Sequence, residues 1–309
     1  MNLEPSSQKI LFEHNLVFQE LTRLYKYNKL PNKILLSGEK GIGKSTLAYH
    51  FINFILSENE DYPYNTSNYE INPENKSFKL LQNKTHPNFN LIDVFVDKKN
   101  IDIDQIRKLI INLNKSSFNN KTRFVLIDNI ELLNINSVNA LLKVLEEPNE
   151  NIIFILINNN KKILSTLKSR CLNFKVFLKK EQSHDITNQL LNDDLYNIVN
   201  SELIDNYFTP GKILNIIKLS NDYEIDLKKT NLNEFLIFMI KERLYKKDKL
   251  FTLIIFSYIE LYFRKNISVK NISLLKLYQY FLTKINNAKI YNLDEETLFM
   301  EFEEKVLNG

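Results

Sequence analysis

The sequence predicts an α/β fold in which helices wrap a parallel sheet, followed by an all-helical region. Apolar segments typical of buried parallel strands alternate with helical patterns as far as residue 178. A cluster of glycines lies between the first such strand and the next helix, although the 309 residues include only five glycines. Beyond residue 178 the apolar residues recur with helical spacing alone. Three domains are therefore predicted, at residues 1–178, 179–224 and 225–309.

Each element follows from the spacing of its apolar residues. The predicted strands are residues 33–37, 91–96, 123–128 and 152–157, with 174–178 as a candidate fifth strand. Helices are predicted at residues 15–25, 45–56, 103–113 and 136–147, and shorter ones at 190–204 and 213–219. The Asn-rich segment 57–90 contains Pro63, Pro73 and Pro87, which predict that it is mostly loop.

The glycine cluster matches a phosphate-binding loop. Residues 38–45 read Gly-Glu-Lys-Gly-Ile-Gly-Lys-Ser and lie between a predicted strand and a predicted helix, as this motif requires. The glycines allow backbone N–H groups to turn toward a polyphosphate, the Lys44 ammonium reaches the β- and γ-phosphates, and the Ser45 hydroxyl ligates Mg²⁺. A chance glycine turn is the alternative, and the correct flanking elements argue against it. The candidate nucleotide-binding residues of the loop are Gly38, Gly41, Gly43, Lys44, Ser45 and Thr46.

A second nucleotide element is expected where the strand 123–128 ends. Asp128 is a candidate to hold Mg²⁺ together with Ser45. In ATPases of this type a Glu commonly follows the Asp and orients the attacking water, whereas this chain has Asn129, whose amide cannot accept a proton. Glu131 lies two residues further on and is expected to point elsewhere. The sequence therefore predicts a site that binds ATP and Mg²⁺ but hydrolyses ATP poorly.

Cysteine and histidine content excludes several other classes of protein. Cys171 is the only cysteine, so a disulfide framework and a Cys-based zinc module are excluded, and the four histidines lack metal-site spacing. The longest near-apolar run, residues 250–263, contains Glu260 and is too short to span a bilayer. Because residues 1–9 are polar and lack a signal peptide, an intracellular protein without zinc or membrane association is expected. The net charge of +4 permits a nucleic-acid partner without requiring one.

Two further motifs carry a family resemblance. The run from Asn139 to Pro148 reads Asn-Ala-Leu-Leu-Lys-Val-Leu-Glu-Glu-Pro, and Ser169-Arg170-Cys171 follows a predicted strand. With the phosphate loop, these motifs resemble the clamp-loader branch of the AAA+ ATPases, in which Ser-Arg-Cys is the arginine-finger motif. The resemblance implies that Arg170 reaches into the ATP site of a neighbouring subunit. It also implies that Asn158 is the polar sensor of the γ-phosphate.

Within this branch the chain is most similar to the delta-prime family of bacterial DNA polymerase III subunits. The segments that carry the similarity are residues 41–49, 86–89, 103–107 and 209–212. The resemblance implies an AAA+ phosphate-loop domain, a small helical lid domain and a C-terminal all-α collar domain, in a five-membered ring of the bacterial cytoplasm. The implied partners are gamma/tau ATPase subunits, the delta subunit, the sliding clamp and primer-template DNA. The resemblance further implies that the ring places the clamp on primed DNA for the polymerase holoenzyme, and no polymerase site is expected in this subunit.

Three features depart from the family pattern. Many clamp-loader relatives have four cysteines in a zinc module after the first helix, whereas residues 57–90 contain none and must hold their structure without metal. The sensor of the small domain is normally an Arg near the position of Gly211, where this chain has Lys212. Asn129 stands in place of the Glu that supports hydrolysis.

Alternative functions remain open at this point. An active motor, either a sister ATPase of the same ring or an independent phosphate-loop ATPase, is favoured by the intact loop and disfavoured by Asn129. A stand-alone DNA-binding protein of AAA+ ancestry is a third alternative, but the sequence has no helix-turn-helix or zinc-finger signature. Without the surrounding motifs, Arg170 alone would be interpreted as an ordinary surface arginine.

Overall fold

The computed structural model describes residues 4–95, 98, 100–114, 121–146, 151–267, 272–291 and 293–308. Contacts divide the chain into two compact units. The first unit consists of Met1–Thr187 and Thr209–Leu214, and the second consists of Asn188–Phe208 and Asn215–Gly309. The division into three domains that the sequence predicts stays a prediction.

A five-stranded sheet forms the centre of the first unit. Its strands are β1 Lys33–Ser37, β2 Phe89–Ile92, β3 Arg123–Ile127, β4 Ile152–Asn158 and β5 Leu172–Lys175. They lie in the order β2-β3-β4-β1-β5, and each neighbouring pair is parallel. All seven residues of β4 are buried, as expected for the central strand of a sheet covered on both faces. The predicted α/β class with a parallel sheet is confirmed.

Helices flank the sheet and make up the second unit. In the first unit they are α1 Asn15–Lys26, α2 Lys44–Leu56, α3 Lys76–Gln82, α4 Ile103–Leu113, α5 Ile135–Glu146 and α6 Ser165–Lys168. Two helices cross from one unit into the other, α7 Lys180–Leu191 and α9 Pro210–Asp222. The remaining helices are α8 Leu195–Ile198, α10 Leu232–Lys241, α11 Lys249–Asn266, α12 Ile272–Tyr291 and α13 Glu295–Phe302.

The sheet and two of these helices share one apolar core. Strands β1, β3 and β4 contribute side chains that pack against the apolar faces of α4 and α5. Burial of each such side chain contributes roughly 1.5–3 kcal/mol to folding. This packing fixes the carboxyl ends of β1, β3 and β4 beside one another. This core includes Leu35, Ile106, Leu109, Ile127, Leu141, Leu145 and Leu156.

Observed boundaries differ from the predicted ones in several places. The helix predicted at residues 190–204 is replaced by the end of α7, by α8 and by a short 3-10 helix, Ser201–Leu203, and the candidate strand 174–178 is β5, which begins and ends earlier. The strand predicted at residues 91–96 is β2, which begins and ends earlier, and Val96 lies outside the described residues. The segment 57–90, predicted as mostly loop, contains α3 and the start of β2, because Phe78 and Leu81 are buried on one side of a short helix. Glu147 and Pro148 of the family motif also lie outside the described residues.

Polar side chains organise the Asn-rich segment. The Asn75 side-chain oxygen accepts a hydrogen bond of 2.6 Å from the backbone N–H of Phe78 and one of 3.0 Å from Nδ2 of Asn53. The Glu60 carboxylate accepts from both the N–H and the hydroxyl of Ser77, at 3.0 and 2.6 Å. A side-chain cap of this kind contributes about 1 kcal/mol. Among the described residues, no group of three or more His, Cys, Asp or Glu side chains is placed to hold a metal ion.

In the second unit, the regular structure of the described residues is helical. Asn231 and Glu234 form a reciprocal capping box at the start of α10, with hydrogen bonds of 2.9 and 3.0 Å. Helices α11, α12 and α13 pack through the rings of Phe263, Phe281 and Phe302, whose centroids lie 5.3 to 6.0 Å apart. Within the ranges described here, no helix has both the length and the apolar character needed to cross a bilayer.

Candidate nucleotide-binding site

The glycine-rich loop connects β1 to α2, as its motif requires. Gly41 and Gly43 adopt φ angles of 86° and 94°, in the left-handed region that favours glycine. Gly43 is the residue from which α2 starts, so the loop leads directly into a helix N-terminus whose N–H groups and dipole favour anions. Thr46 lies in the first turn of that helix and is partly buried.

Lys44 is buried within the loop and its ammonium is fully engaged. Its Nζ donates to the carbonyl oxygens of Gly38, at 2.9 Å, and Glu39, and to Oδ1 of Asn159 at 2.9 Å. The side chain is only 3% exposed. Burial lowers the pKa of Lys44 to about 8, and the negative charges of Asp128 and Glu131 oppose that shift.

Ser45 and Asp128 meet across the site. The Ser45 hydroxyl donates a hydrogen bond of 2.6 Å to Oδ2 of Asp128, which follows the last residue of β3. Loss of surrounding water raises the pKa of the Asp128 carboxyl, and the hydrogen bond from Ser45 opposes that rise. A hydroxyl and a carboxylate in this contact are oxygen ligands of the kind that Mg²⁺ prefers. The two residues predicted to hold Mg²⁺ are thus in contact, and their binding of the metal ion stays a prediction.

Asn129 and Glu131 belong to one hydrogen-bond network. The Asn129 amide donates to Oδ1 of Asp93 at 2.9 Å and accepts from Nδ2 of Asn159 at 2.9 Å. The same Asn159 nitrogen donates to Oε1 of Glu131 at 2.9 Å. The expectation that Glu131 points elsewhere is wrong, because Asn159 hydrogen-bonds both to the Glu131 carboxylate and to the Lys44 ammonium.

The Asn158 side chain is directed to its own turn. Its Nδ2 donates to the Lys161 carbonyl at 3.0 Å, and its Oδ1 accepts from the Lys161 N–H at 3.2 Å. Its backbone oxygen accepts from the N–H of Gly38 at 3.2 Å, which joins β4 to the start of the loop. The side chain that contacts Lys44 belongs to the next residue, Asn159, which sequence reasoning missed.

A segment remote in sequence, residues 209–212, supports the loop from outside. The N–H of Gly211 donates to the Gly41 carbonyl at 2.9 Å, and the Thr209 hydroxyl donates to the Lys40 carbonyl at 2.9 Å. A Cβ atom added to Gly211 would lie 2.7 Å from Cα of Gly41, so only glycine allows this approach. Residues 209–212, one of the segments that resemble delta-prime sequences, therefore pack against the phosphate loop.

His14 supports the loop from the N-terminal side. Its ring is 4% exposed, and Nε2 is hydrogen-bonded to the backbone oxygen of Ile42. Burial lowers the pKa of His14, so the neutral ring with its proton on Nε2 fits this contact with a carbonyl acceptor. The spacing of the four histidines gave no signal for this role, because the role depends on a contact with residue 42 and not on a metal.

Arg170 lies apart from this network, in the turn after α6. Its Nη2 pairs with the carboxylate of Glu146, the last residue of α5, and its Nη1 donates to the Thr166 carbonyl at 2.8 Å. About one third of the Arg170 side chain remains exposed. The structure thus brings Lys44, Ser45, Asp128 and the glycines together and leaves Arg170 at the surface.

Comparison with known proteins places this site in a family. The family described as DNA polymerase III, delta subunit, matches residues 13–180. A DNA polymerase III subunit delta' of Buchnera aphidicola subsp. Schizaphis graminum is 26% identical over 291 residues, which cover 87% of this chain and 83% of the relative. A subunit delta' of Pseudomonas aeruginosa is 33% identical over 138 residues, which cover 44% of this chain and 40% of that relative.

A solved structure from Thermotoga maritima, described as a DNA polymerase III gamma subunit-related protein, aligns with a TM-score of 0.46 at 19% identity, covering 91% of this chain and 96% of its own. The predicted resemblance to delta-prime subunits of the clamp loader is confirmed by the sequence comparisons. The matched residues include the phosphate loop, Asp128 and Arg170 and make up more than half of the chain. The chain therefore belongs to the DNA polymerase III delta subunit family.

Proposed function

We propose that this chain is the delta-prime-type subunit of a bacterial clamp-loader ring, in which it binds nucleotide weakly and lends Arg170 to a neighbouring ATPase subunit. Its family membership supports the clamp-loader role. Relatives named as DNA polymerase III subunits delta' and gamma support a ring with gamma/tau and delta subunits. The sliding clamp and primer-template DNA are the substrates of such a ring, and the bacterial cytoplasm is its place. The lid at 179–224 and the collar at 225–309 belong to the same proposal.

The residues around the loop fit a nucleotide with Mg²⁺. Lys44 and the N-terminus of α2 would hold the phosphates, and Ser45 and Asp128 would hold the metal ion. Bound Mg²⁺ neutralises the charge of the phosphates. Weak binding is proposed because the Lys44 ammonium must break hydrogen bonds to its present acceptors before it can bind a phosphate oxygen.

The observation that carries the proposal is the amide at position 129. Asn129 follows Asp128 where a motor of this branch has a carboxylate, and both ends of its amide are engaged, with Asp93 and Asn159. An amide cannot take a proton from water. A subunit whose nucleotide site lacks a carboxylate at position 129 contributes to turnover by acting on a neighbour.

Arg170 is the group proposed to act on the neighbour. It is exposed at the surface, in the Ser-Arg-Cys motif, and its guanidinium is a fixed positive charge with several N–H donors. An arginine supplied in trans to a transferring phosphoryl group raises turnover by roughly three to five powers of ten. The chemistry is thereby performed in the adjoining ATP site, and the ring depends on this chain for it.

Reconstitution with the cognate gamma/tau subunits, delta, clamp and primed DNA tests the proposal. ATP turnover is measured without this chain, with it, and with Arg170→Ala or the control Lys168→Ala, which removes a neighbouring exposed positive charge from α6. We expect stimulation by the wild-type and Lys168→Ala chains and its loss with Arg170→Ala, while assembly is unchanged. Equal turnover with all chains would overturn the proposal.

Glu131 favours one second candidate, an active ATPase. Its carboxylate accepts from Asn159, which also contacts Lys44, so a base exists near the loop. This candidate requires that the isolated chain turns ATP over at about one per second or faster, and that Glu131→Gln abolishes the turnover. The delta-prime proposal requires negligible turnover in the isolated wild-type chain.

A further inference from the structure

The ion pair between Arg170 and Glu146 joins the end of α5 to the turn after α6. The guanidinium uses Nη2 for the Glu146 carboxylate and Nη1 for the Thr166 carbonyl oxygen. The backbone N–H of Arg170 donates to the carbonyl oxygen of Leu167 at 3.3 Å. Leu167 is a core residue that is only 1% exposed. The backbone of Arg170 is therefore fixed by buried structure, whereas its side chain is held by an acceptor on another helix.

Electrostatics makes this pair relevant to the function proposed above. A guanidinium stabilises charge on a phosphoryl group because its own charge is uncompensated there. In the free chain the carboxylate of Glu146 compensates that charge in direct contact with Nη2. A neighbour's γ-phosphate must therefore compete with Glu146 for Arg170. A triphosphate competes well because it carries several negative charges and offers more than one acceptor oxygen to the planar guanidinium.

The exposure of the pair shows that it can be exchanged. The Arg170 and Glu146 side chains are 34% and 55% exposed, so water reaches both partners and each can separate without leaving a buried charge unpaired. A buried ion pair would be far more costly to break. The geometry is that of a reversible restraint and not of a structural anchor.

Resting on the proposed role of Arg170, we infer that Glu146 restrains this arginine in the unassembled subunit and releases it to a neighbouring subunit that has ATP bound. Glu146 thereby lowers the affinity of this chain for an ATP-loaded neighbour without touching the nucleotide. Release occurs by exchange of one ionic hydrogen-bond partner for another. No covalent bond is made or broken, and the guanidinium keeps its charge throughout.

The reconstituted ring tests the inference, with the concentration of this chain varied until turnover saturates. Glu146→Gln keeps the size of the side chain and removes its charge, and Glu146→Ala removes the acceptor. We expect each variant to lower the concentration for half-maximal stimulation about two- to fivefold, in the range of an exposed ion pair, with the maximal rate unchanged. The control Glu20→Gln changes an exposed carboxylate of α1 and leaves both quantities unchanged.

The same assay separates failure of the inference from failure of the proposed function. In an Arg170→Ala background, Glu146→Gln is expected not to restore stimulation, because the group that Glu146 restrains is absent. If Arg170→Ala lowers turnover but the Glu146 variants behave as wild type or reduce the maximal rate, the restraint is refuted and the finger remains. If Arg170→Ala has normal turnover, the proposed function fails and takes the inference with it. Raising the salt concentration should shrink the difference between Glu146→Gln and wild type, since exposed ion pairs are screened.

Discussion

The Lys44 ammonium donates a hydrogen bond of 2.9 Å to the side-chain oxygen of Asn159, which joins the phosphate loop to the residue after β4. The same amide donates to Asn129 and Glu131. The loop lysine that is predicted to contact phosphate is therefore hydrogen-bonded to a residue whose other hydrogen bonds go to residues just after the neighbouring strand β3. We therefore expect the proposed nucleotide binding to be coupled to the state of this network.

Asn159→Ala should tighten ADP binding. The substitution removes one of the acceptors that compete with phosphate oxygens for the Lys44 ammonium. A hydrogen bond to a charged group has a net value of about 1.5 kcal/mol or more, so a Kd lower by about tenfold is expected. Asn158→Ala is the matched control, because that side chain bonds to Lys161. Titration calorimetry with ADP measures both. A weaker affinity in Asn159→Ala, or an equal gain in Asn158→Ala, would contradict the competition.

Nucleotide affinity should fall as the pH rises from 7 to 9. Burial lowers the pKa of Lys44 to about 8, so the free protein is charged at Lys44 at pH 7 and largely neutral at pH 9. Phosphate binds the charged form, and the Kd for ADP should therefore rise about tenfold over this interval by proton linkage. Lys44→Arg provides the comparison, because arginine keeps its charge throughout. A wild-type Kd that stays constant to pH 9 would show that Lys44 titrates as an ordinary lysine.

Local patterns sufficed for the fold because apolar periodicity and the glycine loop are properties of neighbouring residues. The hydrogen-bond network around Lys44 could not be predicted in this way, because it joins residues that are distant in sequence. Residues 158–160 are three consecutive asparagines, and the end of β4 decides which of them faces the loop. Asn129 adopts φ 54° and is followed by a short 3-10 helix, Ile130–Leu132, and this turn brings Glu131 back to Asn159. Such a reversal is a tertiary property, as is the contact of His14 with the loop.

Asn129→Ala should be less stable than Asn129→Gly. Both variants lose the bonds to Asp93 and Asn159, so the difference between them reports the backbone, whose φ of 54° is in the left-handed region. Alanine is strained there and glycine is not, and we expect a difference of about 1 kcal/mol in the free energy of unfolding. Denaturant titration of the two variants measures it. Equal stability, or a more stable alanine variant, would contradict the left-handed conformation at this position.

Gly211→Ala should destabilise the first unit, against the normal preference of a helix for alanine. An added Cβ would lie 2.7 Å from Cα of Gly41 and 3.1 Å from its carbonyl oxygen. The backbone would have to move, and overpacking of this kind costs about 1–3 kcal/mol, which exceeds the gain of about 1 kcal/mol in helix propensity. The hydrogen bond from Gly211 to Gly41 would lengthen, and the loop would lose support beside Lys44.

Thermal unfolding and ADP binding together check this prediction for Gly211. We expect Gly211→Ala to lower the melting temperature and to weaken ADP binding, because the shifted loop no longer presents its N–H groups together. Lys218→Ala, at an exposed position of the same helix, is the control for helix propensity and should leave both quantities close to wild type. A melting temperature that rises in Gly211→Ala would mean that α9 meets the loop less closely than 2.7 Å implies, and that residues 209–212 have no part in shaping the phosphate site.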